Sequence, residues 1–302
     1  MKRLPQIALL ADGKRLHLQD GPIDLIIEAN GQAGEVQAAY DAAARRFTGL
    51  LDELCEELTA LRQAADPVQC VLNGVVARRM HAAVAPFASE HFITPMAAVA
   101  GSVAEEILGA MLGAARLDRA YVNNGGDIAL HLADGEQFSV GLMDRPDRYG
   151  LLRMMTIDAD DLARGIATSG RHGRSFSLGI ADAVTVLART ASEADAAATI
   201  IANAVDLPDH PAVVRCPANQ LQPDSDLGSR LVTRDVGPLT ENEVAAALRA
   251  GAHCAQQLFA AGLIEGAALR LLGETRVVGT TGAAAPALHA YHGSAVESAV
   301  HA

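Results

Sequence analysis

The chain has 302 residues, half of them apolar and a fifth charged, with a formal net charge of −12 and a pI near 5.2. That length holds one large domain or two ordinary ones, and the apolar content builds a sizeable core. The acidic balance argues against nucleic acid or an anionic membrane as partner, so an anionic ligand needs a local pocket of cations or backbone N–H groups.

The start is basic at Lys2 and Arg3, but the apolar run that follows covers only residues 7–11. This is too short for a signal peptide, and no lipid-attachment cysteine follows it. Residues 7–10, 15–18 and 23–28 read as strands, with a turn at Asp12-Gly13. A long amphipathic helix is expected over 33–61, with Phe47, Leu50, Leu51, Leu54 and Leu58 at helical spacing, and a second over 72–84 after Pro67. Thr94-Pro95 has the form of an N-cap followed by a first-turn proline. The helix it opens is lined by Ala97, Ala98, Ala100, Gly101 and Ser102, small residues that allow close backbone approach. It meets Glu105 and Glu106 before it could cross a bilayer, so a soluble, cytoplasmic protein is expected.

Strands are expected at 119–122, 128–132, 138–143, 152–157, 166–168 and 183–187, a helix at about 193–204, another over 241–263, and a final hairpin-like pair over 268–278. The alanine- and histidine-rich stretch after Gly282 lacks periodicity, so 283–302 reads as a disordered tail behind a single α+β unit of residues 1–282, with two intimately packed halves as the alternative. Cys55, Cys70, Cys216 and Cys254 form no CxxC pair and read as buried free thiols of a reducing compartment.

Two polar motifs carry the candidate chemistry. Asn123-Asn124-Gly125-Gly126-Asp127 follows a strand; its glycines permit either an ordinary β-turn or a nest of N–H groups, with Asn124 and Asp127 free to bond a base or sugar hydroxyl. Thr168-Ser169-Gly170 ends a strand and leads to Arg171, His172 and Arg174, two guanidiniums suited to phosphate. Asp195 and Thr199, four residues apart on one helix face, are hard oxygen ligands suited to Mg²⁺. On the residues alone the first reading of Ser192-Glu193-Ala194-Asp195 is a capping box, with Asp195 at the third helical position and Thr199 bonding the carbonyl four residues earlier. The acidic run at 223–228 reads as a solvated turn, and no dinucleotide fingerprint, Walker A, nucleophile elbow or HExxH is present.

In order and spacing, these motifs resemble the ApbE family of FAD:protein FMN transferases: a small-residue helix, Gly125-Gly126-Asp127, Ala167-Thr168-Ser169-Gly170, then Val184-Thr185-Val186 leading into Ala194-Asp195-Ala196 and Thr199. The resemblance implies an α+β fold of mixed and antiparallel sheets packed on long helices. It also implies a flavin nucleotide, FAD or FMN, bound by Asn124, Gly125, Gly126, Asp127, Thr168, Ser169, Gly170, Arg171 and Arg174. Asp195 and Thr199 would hold Mg²⁺ beside the pyrophosphate, and the partners would be a nucleotide-like ligand and an acceptor protein. Separately, the small residues at Ala97 to Gly101 suit either a homo-oligomer contact or a close internal one. The chain has Ala100 where that family carries a lysine, and Ser175 to Asp182 where it carries an Asp-Pro segment, which marks a divergent soluble branch. An enzyme acting on another cofactor precursor, such as a pterin, and a non-catalytic binding protein are the alternatives.

Overall fold

A computed structural model describes residues 4–145, 148–279 and 300–301. The chain runs β1 (Gln6–Leu9), β2 (Leu16–Asp20), β3 (Ile23–Asn30), α1 (Ala33–Phe47), α2 (Leu50–Glu56), α3 (Leu58–Leu61), α4 (Val75–Val84), α5 (Val99–Ala114), β4 (Arg119–Asn124), β5 (Asp127–Leu132), β6 (Gln137–Arg145), β7 (Arg148–Asp158), β8 (Gly165–Ser169), β9 (Ala183–Ala188), α6 (Ala191–Ala204), β10 (Val213–Pro217), α7 (Ala218–Leu221), β11 (Leu231–Val236), α8 (Glu241–Ala260), β12 (Gly266–Leu271), β13 (Glu274–Gly279) and β14 (Val300–His301).

Nine strands form one sheet in the order β1-β2-β3-β4-β5-β8-β9-β12-β13, with every neighbouring pair antiparallel. The fold is therefore α+β. β6 and β7 form a separate hairpin, joined in parallel by β14, and β10 pairs with β11. Strict alternation along β3 buries Ile23, Leu25, Ile27 and Ala29 beneath α1 and α5, so one face of this end of the sheet is covered by helices. The other half buries Val184, Val186 and Leu269 under α6 and α8. Tyr121, Ile128, Leu130 and Ile166 turn to the opposite face and pack against Phe138, Val140 and Ile157 of the β6–β7 hairpin.

Several expectations are revised. The helix expected over 33–61 is three helices, because Gly49 takes a left-handed φ of +87° that ends the regular turn after Phe47. Thr94 and Pro95 do stand at the N-cap and first position of a helical segment, but it is a short 3-10 turn, and the Thr94 hydroxyl makes no cap bond and donates to Asp226 at 2.5 Å. The acidic turn around Asp226 is accordingly tied down, with Asp224 also bonded to Arg62. Cys55 and Cys70 are exposed rather than buried. The β10–β11 pair had no alternating signal of its own. Of the expected tail, Val300 and His301 pair with Val140 and Gly141, and the rest lies outside the described residues.

Among the described residues one segment, Pro95–Ala114, is long and apolar enough to cross a membrane. It is the central helix of the molecule, and Val103, Ala104, Ile107 and Met111 are buried in the core. Its crossing with α6 depends on Gly101, where an added Cβ would overlap the Ala191 carbonyl. Gly109, by contrast, faces open space on the same helix. Gly101→Ala should therefore destabilise the protein by about 1–3 kcal/mol, whereas Gly109→Ala should stabilise it by up to ~1 kcal/mol. Thermal denaturation of the two variants checks the pair; equal shifts would refute the close crossing.

Candidate functional site

The site forms where the first turn of α5, the β4–β5 turn, the end of β8 and the face of α6 meet. The 3-10 turn ahead of α5 leaves its first N–H groups without a side-chain cap. Asp195 supplies the acceptor from α6: its Oδ2 takes the Gly101 N–H at 3.0 Å. The capping-box reading is corrected by this geometry, because the N-cap of α6 is Thr190, whose hydroxyl accepts the Glu193 N–H. Asp195 caps the neighbouring helix, not its own. The favour is returned by Glu105 of α5, which accepts the Ser192 N–H of α6 at 2.6 Å.

The β4–β5 connection is a two-residue hairpin. Asn124 pairs with Asp127, and Gly125 and Gly126 both take positive φ, +68° and +114°, as a mirror-image turn requires. The Gly126 N–H is already held by the Asn123 side chain at 2.8 Å, so this half of the expected nest is filled from within. Asn124 is buried and donates through Nδ2 to the Ala100 carbonyl, which ties the hairpin to the first turn of α5. Asp127 accepts the Thr168 N–H at 3.2 Å, tying the hairpin to β8.

Asp127 and Asp195 thus converge, each with one oxygen fixed by a backbone N–H. Both keep an accessible edge, yet protein crowds their remaining sides. Burial pushes the Asp127 carboxyl up to about 7, against the Thr168 N–H and the Arg174 charge. Burial and then the charge of Asp127 push Asp195 well above the ordinary range, against the Gly101 and Ala100 N–H groups. Two carboxylates so placed favour sharing a proton or a cation.

The remaining expected residues fall around this pair. Thr199 lies one turn beyond Asp195 on the same face of α6, partly buried. The Thr168 hydroxyl bonds the Thr185 hydroxyl at 2.9 Å, and Ser169 ends β8 opposite Val184. Gly170 is required by its φ of +148° and by the Asp182 carbonyl, which would lie 2.6 Å from an added Cβ. The two arginines separate. Arg171 is engaged by Asp182, at 2.9 Å through Nε and 2.6 Å through Nη2, with His172 at 3.2 Å from the same oxygen. Arg174 remains exposed, its guanidinium laid over Gly125 where any side chain would strike it. Sequence reasoning missed Glu105, whose only signal was its position one turn after Gly101 on a helix of small residues.

Among the described residues no group of three or more His, Cys, Asp and Glu could hold a metal. The donor set that is present, two carboxylates beside the Thr199 hydroxyl, fits Mg²⁺, a hard cation that completes its shell with water and phosphate oxygens. It does not suit a softer ion that asks for sulfur or imidazole.

Comparison with known proteins gives relatives along most of the chain. A UPF0280 protein of Methanopyrus kandleri is 34% identical over 194 residues, covering 64% of this chain and 74% of that one. A UPF0280 protein of Archaeoglobus fulgidus is 36% identical over 141 residues, covering 46% of this chain and 54% of that protein. That of Methanococcus vannielii is 41% identical over 128 residues, covering 41% and 50%. The match therefore spans only about half the length of the last two. Among solved structures, the apo crystal structure of Pseudomonas stutzeri flavinyl transferase ApbE aligns with a TM-score of 0.45 and 11% identity, covering 92% of this chain and 95% of that one. The family model described as AbpE bacteria matches residues 7–277, and the chain belongs to that family.

Proposed function

We propose that this protein binds a flavin nucleotide, FAD or FMN, with Mg²⁺ and transfers the flavin to an acceptor hydroxyl. The observation that carries the reading is the Asp127–Asp195 pair at the first turn of α5, two neighbouring carboxylates that form no salt bridge among the described residues, with the Arg174 charge acting on Asp127 alone. Family membership and the motif resemblance support the flavin. The exposed Arg174 supports a phosphate group above Gly125.

On this reading Asp195 and Thr199 hold the metal, and Asn124, Gly125, Gly126, Asp127, Thr168, Ser169 and Gly170 line the nucleotide. Arg171 sets the loop through Asp182, and Arg174 meets the phosphates. Bound there, Mg²⁺ would neutralise charge on the pyrophosphate. The acceptor hydroxyl oxygen attacks the flavin-side phosphorus, the P–O bond to AMP breaks, and AMP leaves. Asp127, whose proton affinity lies near neutrality, takes the hydroxyl proton. The protein would act in the cytoplasm on soluble partners. A second reading, a pterin or related precursor on the same site, is favoured by one feature: Ala100 stands where the resembled family has a lysine.

Incubation with FAD, Mg²⁺ and a candidate acceptor should release AMP and leave a flavin-labelled protein; no AMP together with no FAD-dependent thermal shift would sink the proposal. Asp195→Asn keeps an acceptor for the Gly101 N–H, so stability should change by no more than ~1 kcal/mol. The Mg²⁺-dependent shift with FAD should nonetheless largely vanish in that variant; an unchanged shift would make Asp195 a cap alone.

The pH dependence has a definite sign. Asp127 is raised from 3.8 to about 7, so its contribution is fully present below the unfolded value and lost as pH rises through the folded one. Without metal, the melting temperature of the wild type relative to Asp127→Asn should fall between about pH 5 and about pH 8. Calorimetry at the two ends tests this, and a rising difference would contradict it.

A further inference from the structure

The loop between β8 and β9 is anchored at both ends and exposed at its tip. On one side the Arg171 N–H donates to the Ala181 carbonyl at 2.9 Å, and the Arg171 side chain is bound by Asp182. On the other, the Thr233 N–H donates to the Ser177 carbonyl at 2.9 Å, and the Leu178 N–H donates to Asn203 at 3.0 Å. Between these anchors Gly173, Arg174 and Ser175 are exposed. From this tip the Arg174 guanidinium reaches the β4–β5 turn: a Cβ added at Gly125 would lie 2.0 Å from its Nη2 and 2.8 Å from its Cζ. Among the described residues Arg174 forms no salt bridge, and its charge acts on Asp127.

We propose that Arg174 makes this site select a divalent cation already complexed to a diphosphate over either component alone. The inference rests on the assignment of Mg²⁺ to the carboxylate pair made above. A guanidinium beside Asp127 opposes a lone divalent cation, because like charges repel strongly where water is partly excluded. The two carboxylates oppose a lone diphosphate in the same way, and one arginine does not offset both. A diphosphate diester carries the two negative charges that a divalent cation neutralises, so the complex enters as a near-neutral unit. Its metal then answers the carboxylates while its phosphate oxygens take the Arg174 fork. Gly125 belongs to the same device, since any side chain there would push the guanidinium off the turn. Arg171 does not share the role: its side chain is 14% exposed and is bound to Asp182 at 2.6 Å.

The test titrates the full chain by calorimetry, at one fixed alkaline pH, with Mg²⁺ alone and with ADP in saturating Mg²⁺. Arg174→Gln should bind Mg²⁺ alone about two- to fivefold more tightly than wild type, the range expected for an exposed charge pair. The same variant should bind ADP in Mg²⁺ about tenfold more weakly, having lost a charge-assisted contact. Arg174→Lys keeps the charge without the planar fork, so its Mg²⁺ affinity should match wild type while its ADP affinity falls part of the way. A merely structural role would weaken both ligands together, and circular dichroism checks that these variants at an exposed position stay folded. A Mg²⁺ affinity that does not rise in Arg174→Gln, or an ADP affinity that does not fall, would overturn the inference and leave the metal assignment standing. So would an Arg174→Lys variant that binds Mg²⁺ as tightly as Arg174→Gln. No Mg²⁺ binding by any of the three proteins would overturn both.

Discussion

The exchange of carboxylates between α5 and α6 is the contact on which the rest of this molecule turns. Each helix begins without enough partners for its first N–H groups, and each receives an acceptor from the other: Asp195 for Gly101, Glu105 for Ser192. The contact needs the two backbones nearly touching, which is why glycine stands at position 101. It also needs the acidic face of α5 held in place. Arg79 of α4 does this, with Nε 3.2 Å from Glu105 and Nη1 3.0 Å from Glu106, and Arg46 of α1 closes on Glu106 from the other side. Burial acts to raise Glu106, but these two arginines hold it below the ordinary carboxylate range. Four helices are thereby locked to one another around one helix start.

That arrangement explains why the candidate site is electrostatically tense while the cluster beside it is relaxed. Glu105 and Glu106 have guanidiniums at hydrogen-bonding distance. Among the described residues, Asp127 and Asp195 have only backbone N–H groups and an exposed arginine that sits over the neighbouring glycine. The carboxyl of Glu106 on α5 and those of Asp127 and Asp195 beside the same helix are therefore shifted in opposite directions. Buried acids without a counter-ion are held towards their protonated form, and buried acids with one stay charged.

Much of the fold could be read from periodicity, because alternation along 23–29 and helical spacing through 33–47 and 193–204 are strong local signals. The break at Gly49 was missed because a glycine inside an apolar repeat is tolerated as often as it terminates a helix. The site was legible only in part. Gly125, Gly126 and Asp127 announce a turn, and Asp195 with Thr199 announces a shared helix face. Neither announces that Asp127 and Asp195 meet, since they come from elements 68 residues apart, and only the antiparallel path from β5 through β8 brings them together. Arg171 and Arg174 illustrate the limit from the other side: three residues apart and chemically alike, one is paired and one is open, a difference set by Asp182.

The double position of Asp195 has an evolutionary consequence. A helix cap asks only for a hydrogen-bond acceptor, and asparagine meets that demand as well as aspartate does. A metal ligand asks for charge. Selection for the fold alone would let Asp and Asn drift freely at this position among relatives, while selection for chemistry would hold Asp there together with a hydroxyl at 199. The substitution pattern at one helix position thus separates descent of the architecture from descent of the activity.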